Sequence, residues 1–266
     1  MSRTYAVTGV GSGIGQATKE VLENAGNRVI GIARNGADVN VDLSDPGQRA
    51  TVADAVAELS GGTLDGIIAV AGTTEMTTQA LQVNFYGVRD LLVGLRPQLL
   101  TSSAPRAAVV TSISVVHPNH PELTRLLLEG EDAAALALGE DLVANNGGGY
   151  MYTSSKRAVA EWVRVAALSS DWAGEGIPLN SVAPGTFITK MVAPHLATPE
   201  GRAMVSKSTP MPLNGPGEPQ VVARLLAWLT SEENTHVTGQ SIFVDGGAEA
   251  TLRGPHVFEG AVLDFS

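Results

Sequence analysis

Short apolar runs alternate with longer helical patterns along nearly the whole chain, and few folds accept that order. Strand-like runs stand at Thr4–Thr8, Arg28–Ile32, Gly66–Val70, Ala107–Thr111, Pro178–Val182 and Ser241–Val244, with a shorter run at Val39–Val41. Helical spacing covers about Ile14–Ala25, Pro46–Leu59, Glu75–Leu100, Met151–Ala173 and Pro219–Thr230. This alternation predicts a doubly wound parallel α/β sheet with helices on both faces. Only "NGAD" separates Arg34 from Val39. A parallel crossover ordinarily needs about a dozen residues, so the helix between the second and third strands is expected to be missing. No linker-like stretch divides the 266 residues, so a single domain over 1–266 is expected.

Composition narrows the partners. A formal net charge of -10 argues against nucleic acid and anionic membrane surfaces. The absence of cysteine removes disulfides, thiolate nucleophiles and zinc–thiolate sites. "MSRTYAVTGV" lacks the apolar run of a signal peptide, and no stretch approaches a membrane span. The expected compartment is the cytoplasm.

Between the first strand and the first helix stand Gly9, Gly11, Gly13 and Gly15. A parallel sheet places its ligand crevice at the carboxyl ends of its strands. Glycines there let the backbone turn sharply and approach a ligand, and the following helix aims free N–H groups at it, which suits a pyrophosphate. The spacing Gly9-x3-Gly13-x-Gly15 is by itself a weak signal, with a glycine turn without a ligand as the lesser alternative. At the end of the second strand, where an acid would hold a ribose 2′-hydroxyl, stands Ala33, followed by Arg34. A guanidinium suits a 2′-phosphate, which favours NADP(H) with NAD(H) as the alternative. Arg34 as a solvated turn residue remains open. Asp42 either accepts from the adenine amino group or caps the helix near Pro46, where Ser44 or Asp45 fits better.

Tyr152 and Lys156 in "YTSSK" stand four apart, on one helix face. A free tyrosine, with a pKa near 10, serves as a base at neutral pH only when a cation stabilises its anion. Ser112 and Ser114 in "VVTSISVV" follow a central strand, where a hydroxyl meets a substrate oxygen. Tyr150 competes for the proton role but has no lysine four residues later. His117, His120 and His195 fit no standard ligand spacing, and no metal is expected.

Together, "TGVGSGIG" (Thr8–Gly15), Ala71–Gly72, Asn84 in "QVNFYG", Ser114, "YTSSK", "NSVAPGTFIT" (Asn180–Thr189) and "VTGQSIFVDGG" (Val237–Gly247) resemble the short-chain dehydrogenase/reductase superfamily. The resemblance implies catalysis by Ser114, Tyr152, Lys156 and Asn84. Tyr152 would be the acid/base, Ser114 would orient the substrate oxygen, Lys156 would lower the tyrosine pKa and bind the nicotinamide ribose, and Asn84 would hold a water. It implies a nicotinamide cofactor on Gly9, Ser12, Gly13, Ile14, Gly15, Arg34, Asp42, Leu43, Ala71, Gly72, Tyr152, Lys156, Pro184, Gly185, Ile188 and Thr189. The expected activity interconverts a ketone and a secondary alcohol. A non-catalytic dinucleotide-binding sensor or scaffold is the alternative, disfavoured because Tyr152 and Lys156 are both present.

Three departures resemble the bacterial 3α-hydroxysteroid dehydrogenase/carbonyl reductase subgroup: the missing helix, a short Gly72–Asn84 segment, and a long insertion over about 117–149 between Ser114 and Tyr152. Leucine spacing at Leu123, Leu126, Leu127 and at Leu136, Leu138, Leu142 predicts two short helices in that insertion. The likeness implies a homodimer, with a homotetramer as the alternative. A mobile lid is expected over about 186–216, where Phe187, Met191, Val192, Leu196 and Met204 offer an apolar wall. That wall, with Ser114 and Tyr152, suits a hydrophobic substrate, steroid-like or aryl; mere packing of the lid is the equal alternative. The tail over 252–266 is expected either to pack on a partner subunit or to be a loose end.

Overall fold

The computed structural model describes residues 2–258. Seven strands form one parallel sheet: β1 (Thr4–Thr8), β2 (Arg28–Ala33), β3 (Val39–Asn40), β4 (Gly66–Ala69), β5 (Arg106–Val110), β6 (Leu179–Pro184) and β7 (Ser241–Val244), in the order β3-β2-β1-β4-β5-β6-β7. β1 pairs with β2 on one side and β4 on the other, so the strand order reverses there. Because side chains alternate across a strand, each strand feeds both faces. Ala6, Ile67 and Val109 face one core; Tyr5, Val7, Ile68 and Ala108 face the other.

Helix α1 (Gly13–Asn24) and a later helix over Pro219–Leu229 cover one face. Against the other pack α2 (Pro46–Ser60), the short α3 (Gln79–Leu81), a π-turn at Gln82–Tyr86 that leads into α4 (Gly87–Leu99), the two insertion helices α5 (Pro121–Glu129) and α6 (Asp132–Ala144), and α7 (Gly149–Ala166). α8 (Ala193–Leu196) and α9 (Pro199–Ser208) lie within the segment read as a lid. α10 (Pro219–Leu229) and α11 (Ala248–Arg253) complete the set. Asp45 caps α2 by accepting from the N–H groups of Gly47 and Gln48, which leaves Asp42 free of that task.

The connection from β2 to β3 has no helix, as the spacing predicts. β3 pairs only with Ile32 and Ala33, so the chain backs up by about one residue rather than the full strand length. The Asp38 carboxylate accepts from the Gly31 N–H at 2.7 Å and holds this tight turn against β2.

Two helix boundaries differ from the sequence expectation. The pattern beginning at Glu75 becomes helical only at Gln79, because the preceding loop is tied elsewhere. Asn84 Oδ1 accepts from the Thr73 N–H at 2.9 Å, and Asn84 Nδ2 donates to the Thr73 carbonyl at 3.0 Å. The pattern expected to reach Ala173 ends at Ala166, where the Ser169 hydroxyl donates to the Ala166 carbonyl at 2.7 Å. A serine bonding locally offers the backbone an alternative to helix.

The insertion is anchored at both ends. Leu123, Leu126 and Leu127 are buried, and Leu136, Leu138 and Leu142 pack partly against the same core. Arg89 grips the Asp132 carboxylate with two hydrogen bonds, at 3.2 and 3.0 Å. The final eight residues of the tail, 259–266, lie outside the described residues, and with them most of the expectation for that segment.

Candidate active site

The reversal of strand order opens a cleft of about 520 Å³ at the carboxyl ends of β1, β2, β4, β5 and β6. Thr8, the last residue of β1, organises its floor. Its Oγ1 accepts from the N–H groups of Val70 and Ala71, at 2.9 and 3.0 Å, and so locks the loop after β4 beside the glycine loop. Two glycines are sterically required. Gly9 has φ +74°, and a Cβ there would lie 3.1 Å from the Ala71 backbone. A Cβ on Gly15 would lie 2.2 Å from the Gly9 carbonyl oxygen, so α1 begins this close to the loop only with glycine. Ser12, the N-cap of α1, makes no side-chain cap bond, and the first turn carries no acidic residue. These free N–H groups and the Cβ-free cradle fit a pyrophosphate.

Of the cofactor positions expected from sequence, Gly9, Ser12, Gly13, Ile14, Gly15, Arg34, Asp42, Leu43, Ala71, Gly72, Tyr152, Lys156, Pro184, Gly185 and Thr189 all line this cleft. Ile188 does not. Its N–H donates to the Gly217 carbonyl at 2.8 Å and its side chain faces solvent, because the chain pairs locally through the Phe187–Gly217 bridge. At the outer end, hydrogen bonds from the Ser44 hydroxyl and N–H hold the Asp42 carboxyl below the usual carboxylate range, and the Arg34 charge adds to this. Arg34 is exposed and makes no ion pair among the described residues.

At the inner end, α7 brings Tyr152 and Lys156 to the cleft from one face. Lys156 is buried, and its Nζ donates to the Val110 carbonyl at 2.9 Å. Desolvation pushes this ammonium down to about 8. The Tyr152 hydroxyl is pushed above its ordinary value by burial, while the neighbouring Ser112 hydroxyl pulls the other way.

Of the two serines, Ser112 lines the cleft with Tyr152 and Ser114 does not. β5 ends at Val110, and Ser112 caps a 3-10 turn over Ile113–Val116, its Oγ accepting from the Ser114 N–H at 3.1 Å. Ser112 lines the cleft. Ser114 lies within the turn, buried and away from the cleft lining, its hydroxyl without a hydrogen-bond partner among the described residues. The signal for choosing Ser112 was the strand end, since a residue two past β5 still faces the crevice and one inside the next turn does not.

Asn84 does not line the cleft. Its Oδ1 accepts from the Thr73 N–H, its Nδ2 donates to the Thr73 carbonyl and the Ser155 hydroxyl, and both Asn84 Oδ1 and Lys156 Nζ stand close to Gly72. Of the expected apolar wall, Phe187, Met191 and Val192 line the cleft; Met204 is 71% exposed and stands clear of it. Tyr150 packs edge-on against His120. His120 caps α5 through its Nδ1, and His117 bonds the Ser208 carbonyl. Sequence reading also missed Thr73, Glu75, Gln79 and Val83, which line the cleft from a loop, a short helix and the π-turn without any motif.

A glycine-lined crevice at the switch point of a parallel sheet, closed at its inner end by serine, tyrosine and lysine, defines a nicotinamide dinucleotide-dependent oxidoreductase. Comparison with known proteins agrees. A family model described as Enoyl-(Acyl carrier protein) reductase matches residues 124–249. The 3-alpha-hydroxysteroid dehydrogenase/carbonyl reductase of Comamonas testosteroni is 34% identical over 254 residues, 93% of this chain and 96% of that protein. The crystal structure of the 3-alpha-hydroxysteroid dehydrogenase from Pseudomonas sp. B-0831 complexed with NADH superposes with a TM-score of 0.85 at 37% identity, over 95% of this chain and 99% of that one. The Pseudomonas aeruginosa RhlG/NADP active-site complex follows at 0.74 and 26%, over 93% and 96%. The chain belongs to the short-chain dehydrogenase/reductase family. No helix among the described residues is long and apolar enough to cross a membrane.

Proposed function

We propose that this protein interconverts a hydrophobic ketone, steroid-like or aryl, and its secondary alcohol, with Tyr152 as the acid/base, Ser112 as the group that orients the substrate oxygen, and Lys156 as the cation beside them. The observation that carries this reading is that Ser112, Tyr152 and Lys156 together line the inner end of the glycine-lined cleft. When bound, the dinucleotide supplies hydride to the carbonyl carbon, or accepts it in the reverse direction. The Ser112 oxygen already accepts from the Ser114 N–H, so its own proton is available to a substrate oxygen. There it stabilises the charge that develops as the carbonyl becomes an alkoxide. Tyr152 delivers the proton to that oxygen. Lys156, protonated at neutral pH, favours the resulting tyrosinate. Asn84 positions Thr73 and Ser155 around the lysine. Phe187, Met191 and Val192 form the apolar side of the substrate space, and the names of the two hydroxysteroid dehydrogenase relatives support a substrate of that class.

The test compares two serines. With a 3-ketosteroid and an aryl ketone as probes, Ser112→Ala is expected to lower kcat about 10²–10³-fold, and Ser114→Ala to change it by less than about twofold. The reverse pattern returns the role to Ser114. Turnover of neither ketone, nor of secondary alcohols in reverse, overturns the reading.

NADP(H) is the cofactor we favour, because Arg34 stands exposed at the outer end of the cleft with its guanidinium uncommitted among the described residues; relatives hold NADH and NADP respectively. Titration followed by nicotinamide fluorescence should show NADPH binding more tightly than NADH. Arg34→Ala should erase about 10-fold or more of the NADPH affinity and leave NADH unchanged. Tighter NADH binding by the unaltered protein assigns NAD(H) instead.

A further inference from the structure

The segment over 186–216 is tethered to the rest of the molecule at few points. α9 buries none of its residues, and Met204, Ser206, Lys207 and Ser208 are all exposed. Its helical neighbour is α8, itself without a buried residue. The apolar burial that holds every other long helix in place is thus missing here. Near the two ends of the segment the backbone is tied: the Ile188 N–H donates to the Gly217 carbonyl, and the Leu213 N–H donates to the Gly246 carbonyl. Between Lys190 and Thr209, among the described residues, one side chain from outside the segment forms a hydrogen bond to it. His117 Nε2 lies 3.0 Å from the Ser208 carbonyl oxygen, at the last turn of α9. A carbonyl only accepts, so Nε2 carries the proton.

His117 is not a distant residue. It follows the 3-10 turn that Ser112 caps, so the turn that aims the substrate-orienting serine also holds the end of α9. We propose that His117 is a latch: a positioning residue that fixes the lid over the cleft and so sets the space open to the apolar part of the substrate. This deepens the functional reading above, on which it rests for the identity of the substrate. Losing the latch frees α9 without touching the glycine loop, Tyr152 or Lys156. Bulky ketones that reach Met191 and Val192 then lose affinity, while the cofactor does not.

Two measurements test this, and the first needs no substrate. Arg202 and Lys207 are exposed trypsin sites on α9. Cutting at them, followed by mass spectrometry, should run about 3–10-fold faster in His117→Ala than in the unaltered protein, the range expected for one lost hydrogen bond. His117→Gln, which keeps an N–H donor on a side chain of similar reach, should restore the slow rate. Thermal midpoints of the three proteins should agree. In the second measurement, the KM for a steroid-sized ketone rises about 3–10-fold in His117→Ala while kcat and the dinucleotide Kd stay put. Equal cutting rates in all three proteins overturn the latch, as does faster cutting accompanied by a lower melting temperature and no rescue by glutamine. If no ketone is turned over, the functional reading fails, and the cutting rates still decide the latch.

Discussion

Replacing Tyr152 by Phe is expected to lower turnover by about 10²–10⁴-fold, the usual worth of a positioned proton donor, while dinucleotide affinity changes by no more than about twofold. The change removes one oxygen and keeps the ring that packs at the inner end of the cleft. Ser112 remains to hold the substrate oxygen, but an aliphatic hydroxyl is too weak an acid to replace a phenol with a cation beside it. The Lys156 bond to the Val110 carbonyl does not involve the tyrosine and survives. Steady-state rates and fluorescence titration of the same preparation check both halves. Near-normal turnover assigns the proton to another group. Loss of cofactor binding makes the tyrosine a structural element of the cradle instead.

Lys156→Met is expected to abolish turnover and at the same time stabilise the protein at neutral pH. The buried ammonium has its pKa pushed down by desolvation to about 8, against an ordinary value of 10.5. That gap corresponds to about 3 kcal/mol of unfavourable burial. Loss of the hydrogen bond to Val110 returns about 1 kcal/mol, leaving a net gain of about 2 kcal/mol. For a chain of this size that raises the melting temperature by roughly 4–8 °C. The sign of the pH dependence follows from proton counting. Below pH 8 the lysine is charged in both folded and unfolded states, and the full burial penalty is present. Between about 8 and 10.5 the unfolded chain binds more protons than the folded one, so the stability of the unaltered protein rises with pH. The advantage of the methionine variant therefore shrinks across that window. Melts of both at pH 7 and pH 10 read the difference. A methionine variant that is less stable at pH 7 shows that the ammonium is a net contributor to the fold.

Such a penalty is what a cation buried in a closed cleft carries, and it was only half visible in the sequence. The four-residue spacing of Tyr152 and Lys156 places both on one side of α7 in any helix. That the lysine is buried depends on β5 lying beneath it, with the Val110 carbonyl in reach and Gly72 leaving room beside the ammonium. No local pattern encodes that approach. The serines illustrate the same boundary. Two hydroxyls two residues apart behind a strand are equivalent by composition. Their roles separate only where the strand stops and the 3-10 turn begins. The likeness to the family led to Ser114, and the turn instead carries Ser112 to the cleft. Ile188 stands outside the cleft lining for a related reason: its N–H pairs with Gly217, 29 residues further on, a partner that no short motif predicts.

By itself the sequence determined the doubly wound sheet, the helix-less step from β2 to β3, the two helices of the insertion and the glycine cradle, because each rests on local periodicity, on turn length or on the steric freedom of glycine. Only the tertiary structure decided which serine faces Tyr152, that Asn84 is spent on holding a loop, that Met204 lies outside the apolar wall, and that His117 reaches α9. Those outcomes depend on groups brought together across the sheet and between the insertion and the lid. Their distances are set by how the layers pack, and residues far apart in the chain carry no record of that packing in their own neighbourhoods.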